Sequence, residues 1–164
     1  MQNSGLHSIR KLEGDGMPGF YVLEPEVAGG FGENTILTRT PGKPMLVHKL
    51  HYQFDGWLGD PLLETAPCYI VSESLAQGIE RANFTGVTFD EVEVTASDQF
   101  RDIYPNRQLP NFVWLKVHGT PRSDDFGIAP GLQLVVSERA LKFLGENGVS
   151  HAEIAPFQMP KSWS

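Results

Sequence analysis

The chain has 164 residues, 40% of them hydrophobic and 20% charged, with a formal net charge of −7. That length suits one domain with a core of its own, the composition is that of a globular rather than a disordered chain, and the acidic balance argues against a protein built to grip a phosphate backbone, which wants a basic face. No apolar run approaches the ~20 residues of a bilayer span, the N-terminus lacks the apolar stretch of a secretory signal, and the single cysteine, Cys68, rules out an internal disulfide framework; together these lead us to expect a cytoplasmic protein.

Residues 1–16 are polar and dotted with glycine, which reads as a flexible arm. Phe20 to Pro25 has the aromatic and β-branched content of a strand and is stopped by its proline. The following EVAGGFGEN reads as a glycine-rich loop. TILTRT reads as a strand closed by the turn signal PGKP, and MLVHKLHYQF as one further strand. In GWLGDPLLETAP, Asp60 with Pro61 behind it has the pattern of a capped short helix ended by Pro67.

One phrase then occurs twice. IVSESLAQGIERANFTGV begins at Ile70 and VVSERALKFLGENGVSHA at Val135, with Ser72 and Ser137 in equivalent places. Each copy reads as a short buried strand, a serine cap, a helix with an acid in its first turn, a left-handed stop at Asn83 or Gly148, and a returning strand. The helical stripes are Leu75, Ile79 and Ala82 in the first copy and Ala140, Leu141 and Leu144 in the second. Between the copies, GVTFDEVEV reads as a strand with an acidic kink and SDQFRDIY as a short helix or turn in a connecting segment. FVWLKVHG reads as a strand covered on both faces, and TPRSDDFGIAPG as a loop. The expected fold is α+β: a single compact domain over 1–164, with a mixed sheet, a strand-rich N-terminal part, and similar strand–helix–strand units at 69–94 and 134–157. A local βαβ crossover is open to each unit.

Chemistry-bearing motifs are sparse. GGFGEN lacks the third glycine and the following helix of a dinucleotide loop. His48 and His51 lie three apart, which on a strand sends them to opposite faces, and no further ligand flanks them. Ser72 and Ser137 are explained as helix caps and sit outside any nucleophile elbow. No catalytic residue, cofactor or metal site is assigned. The residues left for a partner are Trp57, in a glycine-flanked loop, the acids Asp90, Glu91, Glu93, Asp98 and Asp102, and the loop pair Asp124 and Asp125.

FDGWLGDPLLETAPCYIVSESL, GVTFDEVEVTASDQF, LPNFVWLKVHG and LVVSERALKFLGENGVSHAEI together resemble bacterial immunity proteins of polymorphic toxin systems, of the myxobacterial-type immunity domain. The likeness runs from about Phe54 to Phe157. It implies a non-enzymatic neutraliser that binds a cognate toxin protein in the cytoplasm and occludes its active site through an acidic surface, the toxin being basic; it brings no catalytic residues. Two other classes rest on other features. A small enzyme using the Gly29–Asn34 loop requires His48 and His51 to converge with an acid in one pocket. A dimerisation or scaffold module requires a symmetric apolar interface around Trp57.

Overall fold

A computed structural model describes residues 19–158, so the arm expected at residues 1–16 lies outside the described part. The described residues form thirteen strands and three helices, a sheet-dominated α+β fold. They divide into two compact units. The central unit is Glu26–Ala82 with Thr88–Lys116; the terminal unit is Asn83–Val87 with the described parts of Met1–Pro25 and Val117–Ser164.

In the terminal unit, β1 (Phe20–Glu24) runs antiparallel to both β12 (Leu134–Ser137) and β13 (Glu153–Pro156), and β11 (Phe126–Ile128) pairs antiparallel with β12. The order is β11-β12-β1-β13. Because β12 and β13 both oppose β1, they are parallel to each other, and the helix α3 (Glu138–Glu146) joins them as a crossover around the strand between. The helix buries Ala140, Leu141 and Leu144, the stripe its sequence spells out.

The central unit carries the same order in its second sheet: β6 (Leu62–Thr65), β7 (Cys68–Ser72), β10 (Phe112–Val117) and β8 (Val87–Asp90). Here the helix α1 (Glu73–Arg81) follows β7 and buries Leu75, Ala76 and Ile79. The two copies share their local chemistry as well. Ser72 Oγ accepts from the Leu75 amide and Ser137 Oγ from the Ala140 amide, both at 3.2 Å. Asn83 and Gly148 both take positive φ, 58° and 101°, just past the helix ends. The strand that pairs beside each cap holds it through the backbone: Glu73 donates to the Asn111 carbonyl and Glu138 to the Gly19 carbonyl, each at 2.8 Å. The middle strands are traded, however. β1 precedes the first hairpin in the chain but pairs with β12, whereas β10 follows that hairpin and pairs back with β7. Each sheet therefore takes an inner strand from across the sequence.

Several expectations are corrected. Leu62–Thr65 is a strand, β6, where the Asp60–Pro61 pattern predicts a helix; the segment pairs with β7 along its whole length, and this ladder outweighs a capping pattern with only four residues behind it. The glycine loop contains a strand, β2 (Gly29–Phe31), antiparallel to β5 (His51–Phe54). MLVHKLHYQF is two strands, β4 (Leu46–Lys49) and β5, parted at Leu50. GVTFDEVEV is also two: β8, then β9 (Glu93–Ala96), which lies parallel to β5. TPRSDDFGIAPG contains β11. Of the helix or turn open to SDQFRDIY, the helix forms: α2 (Asp98–Ile103), capped by Ser97.

The core of the central unit is aromatic. Tyr52 and Phe54 of β5 meet Ile70, Phe112 and Trp114 of the second sheet and Phe100 of α2. Tyr52 is fully buried; its hydroxyl accepts from the Ala28 amide at 2.9 Å and donates to the Glu64 carbonyl at 3.2 Å. Burial pushes its phenol up to about 12, and burial likewise pushes the Cys68 thiol up to about 12. Both groups are neutral when protonated, so a raised folded value means stability that is intact below the unfolded value and lost as pH rises through the folded one. Unfolding followed by tryptophan fluorescence is therefore expected to show a loss of stability beginning near the ordinary thiol and phenol values. The Cys68 thiol is expected to resist a thiol reagent at neutral pH until the chain unfolds. A rapidly labelled native thiol contradicts this burial.

Candidate functional site

Trp57 sits at the turn after β5, half-buried. Its ring stands edge-on to Phe54 and Phe112 at centroid distances of 5.9 and 6.1 Å, and its indole N–H donates to the Asp60 carbonyl at 2.9 Å. On its other side lies Arg107, with the guanidinium 4.3 Å from the Trp57 ring centroid, 4.8 Å from that of Tyr104, and donating to the Trp57 carbonyl at 2.8 Å. The loop is held from beneath by Glu26. Its carboxylate is buried and accepts from the backbone amides of Leu58 at 2.6 Å and Asp60 at 3.3 Å. Leu58, next to Trp57, is 66% exposed. Glu26 and Arg107 were missed by sequence reasoning, since both act on a loop some thirty and fifty positions away.

The acids from β8 to α2 belong to the same unit, apart from the first residue of β8. Asp90 pairs with Lys116 at 2.8 Å, and the Lys116 ammonium lies 4.4 Å from the centroid of Trp114. The Lys116 bond, helped by the Glu91 amide, holds the Asp90 carboxyl below its ordinary range. Glu93 accepts from the Asn34 amide side chain at 3.0 Å and pairs with Lys49 at 3.5 Å; the Asn34 bond is the main reason its carboxyl is lowered. Both groups are ionised across the neutral range. Glu91, Asp98 and Asp102 are exposed and have no ion-pair partner among the described residues. Asp98 opens α2, where the helix dipole favours its charge. The result is an acidic stretch of which only Asp90 and Glu93 are neutralised by ion pairs.

The remaining acidic pair lies in the terminal unit and is engaged within it. Asp124 Oδ2 accepts from the Thr120 amide at 2.8 Å. Asp125 accepts from the Thr85 amide at 3.0 Å, the Ser137 hydroxyl at 2.7 Å, and Arg139 Nε and Nη2 at 3.1 and 3.0 Å. Burial alone raises the Asp125 carboxyl, but these donors outweigh it and the net direction is down. Ser137, which caps α3, is thus itself oriented by Asp125.

The two histidines do not converge. His48 is exposed on β4 and bonds Thr38 Oγ1 at 2.8 Å. His51 is buried on β5: its Nδ1 accepts from the Asn34 amide at 3.1 Å, which places the ring proton on Nε2, facing Thr95 Oγ1 at 2.7 Å. Gly32 packs flat on this imidazole, and a Cβ there would run into the ring. Thr35 closes the same junction, with its hydroxyl donating to the His51 carbonyl and accepting from the His51 amide, both at 3.0 Å. The pattern is that of a structural histidine tying the Gly32–Thr35 turn to β5 and β9. No helix among the described residues is long and apolar enough to cross a membrane. No family model, curated protein or solved structure matches the chain.

Proposed function

We propose that this chain is an immunity protein that binds a cognate toxin in the cytoplasm of the cell that makes both, and neutralises it by covering the toxin's active site. The observation that carries this reading is the acidic stretch of the central unit. Asp90 closes β8, Glu91 lies in the short link to β9, Glu93 opens β9, and Asp98 and Asp102 lie on α2, with Glu91, Asp98 and Asp102 left without an ion-pair partner among the described residues. Exposed carboxylates steer a basic partner and discriminate against acidic ones. Trp57 and Leu58, in the same unit, supply half-exposed apolar surface of the kind that anchors interfaces. The sequence resemblance to immunity proteins points the same way, and the buried Ser72, Ser137 and His51 are all absorbed by structural bonds.

The test is protection. The toxin encoded beside this gene is expressed from an inducible promoter in cells that also carry the chain. Growth is expected to be rescued by the native chain and lost with Glu91→Lys combined with Asp98→Lys and Asp102→Lys at equal protein levels. Full rescue by the triple variant removes the acidic stretch from the mechanism, and no rescue by the native chain removes the immunity reading.

A further inference from the structure

The basic residues of the chain are as unevenly placed as the acidic ones. Between Ile36 and Lys49 there are Arg39, Lys43 and Lys49 and no acid, a charge of +3 that leaves −10 on the rest of the chain. This segment is the hairpin of β3 (Ile36–Thr38) and β4, a two-stranded sheet of its own. One face turns inward: Leu37 and Val47 oppose each other, and Val47 packs on the aromatic core of the central unit. The other face carries Ile36 and Leu46, 57% and 61% exposed, with Thr38 and His48. Residues 38–44 are all exposed, and Arg39 and Lys43 have no ion-pair partner among the described residues.

An isolated two-stranded hairpin is marginal in water. This one is stiffened at both ends. At the root, Asn34 and Thr35 are bound to His51 as described above, and the Gly32 amide donates to the His51 carbonyl at 2.7 Å. At the tip, Pro41 and Gly42 (φ 77°) form the turn, closed by the Lys43 amide on the Thr40 carbonyl at 3.0 Å. A preorganised arm that exposes two aliphatic side chains between cations loses little entropy on docking.

Beside the root of the arm lies a groove of about 380 Å³, lined by Lys49, Leu50, Glu91, Val92, Glu93 and Val113, with Phe112 at its floor. Its chemistry complements the arm: an apolar bed edged by Glu91, which has no ion-pair partner among the described residues, and by Glu93, which it shares with Lys49 and Asn34. We infer that the β3–β4 hairpin is a dimerisation arm, laid into the Glu91–Glu93 groove of a second copy of this chain. Arm and groove share a root, so a twofold axis passing there lets two copies exchange arms, and the contact is made twice. Nucleic acid is the poorer occupant, because the arm offers few cations and the rest of the chain repels phosphate. The inference does not depend on a toxin partner. Where that partner exists, it competes with the arm for Glu91 and Glu93.

Sedimentation velocity of the full chain alone tests this. The native chain is expected to dimerise at low ionic strength and to dissociate as salt rises. Arg39→Glu with Lys43→Glu is expected to weaken dimerisation about 100-fold or more, as is Glu91→Lys with Val92→Asp. The single reversal Glu91→Lys mixed with the Arg39→Glu, Lys43→Glu chain is expected to recover a mixed dimer, an outcome a merely unfolded variant does not give; circular dichroism checks that each variant is folded. A native chain that stays monomeric at every concentration, a dimer indifferent to the arm substitutions, or an arm that binds a single-stranded oligonucleotide while the chain remains monomeric overturns the inference.

Discussion

Phe54→Ala is expected to lower the stability of the central unit by about 3–5 kcal/mol, the usual loss for truncating a buried aromatic ring. Phe54 has no exposed surface, and four rings pack on it: Tyr52 at 5.0 Å, Phe112 at 5.4 Å, Trp57 at 5.9 Å and Phe100 at 6.1 Å between centroids. Each such contact adds about 0.5–1.5 kcal/mol to simple burial, and the cavity has walls on several elements, so it cannot collapse by moving one. A domain of ordinary stability has about 5–15 kcal/mol in all, which puts the variant near the unfolding threshold at growth temperature. Phe54→Leu keeps much of the volume and is expected to lose about half as much or less. Urea unfolding read by tryptophan fluorescence checks both. Because Trp57 stands on Phe54, the alanine variant is also expected to change native emission. Equal stability of the alanine variant and the native chain contradicts the placement of this ring at the core.

Asp125→Ala is expected to lower stability by about 1–3 kcal/mol. The carboxylate is 13% exposed and joins three segments of the terminal unit: Thr85, Ser137 at the head of α3, and Arg139 within it. Its removal leaves the buried Ser137 hydroxyl without its acceptor, at about 1–3 kcal/mol, whereas the exposed Thr85 amide can turn to water. The exposed Arg139 adds little to that figure. The acid limb gives a second reading. A carboxyl whose folded value is depressed contributes stability that is present above its unfolded value, 3.8, and lost as pH falls through the lower folded one. Asp125→Asn is expected to be less stable than the native chain at neutral pH and to lose less than it on going to acid. Parallel acid limbs for the two proteins contradict a linked Asp125.

What the sequence disclosed was local. The caps Ser72 and Ser137 and the left-handed stops Asn83 and Gly148 are each decided within four residues of chain, and the structure places all four as read. The two-faced pattern of Phe112–Val117 is equally local. Asp60–Pro61 has the chemistry of a helix start, yet the segment behind it forms β6, because a ladder with β7 decides otherwise. The parallel pairing of β5 with β9 and the traded strands β1 and β10 join segments some forty to more than a hundred positions apart, and no local pattern encodes such partners. The candidate site divides the same way. The acids and Trp57 stand out by residue type, whereas their supports come from far along the chain: Lys116 for Asp90, Asn34 for Glu93, Arg107 and Glu26 for the Trp57 loop. Asp124 and Asp125 look alike as a solvated pair in sequence, yet each serves as a hydrogen-bond acceptor inside the terminal unit.

The same strand order in both sheets gives the molecule two copies of one scaffold with different surfaces. In the central unit the chain adds β2, β5 and β9, and with them the aromatic core, the Trp57 turn and the segment that carries Glu91 and Glu93. The proposed binding chemistry thus lies on what is added to the repeated plan.

The most direct test of the account is titration of the purified chain against the protein encoded beside it, by calorimetry at several salt concentrations. A tight one-to-one complex whose affinity falls with salt, and drops at least tenfold with Glu91→Lys, Asp98→Lys and Asp102→Lys together, is the predicted result. No heat of binding, or a complex unchanged by those three reversals, contradicts it.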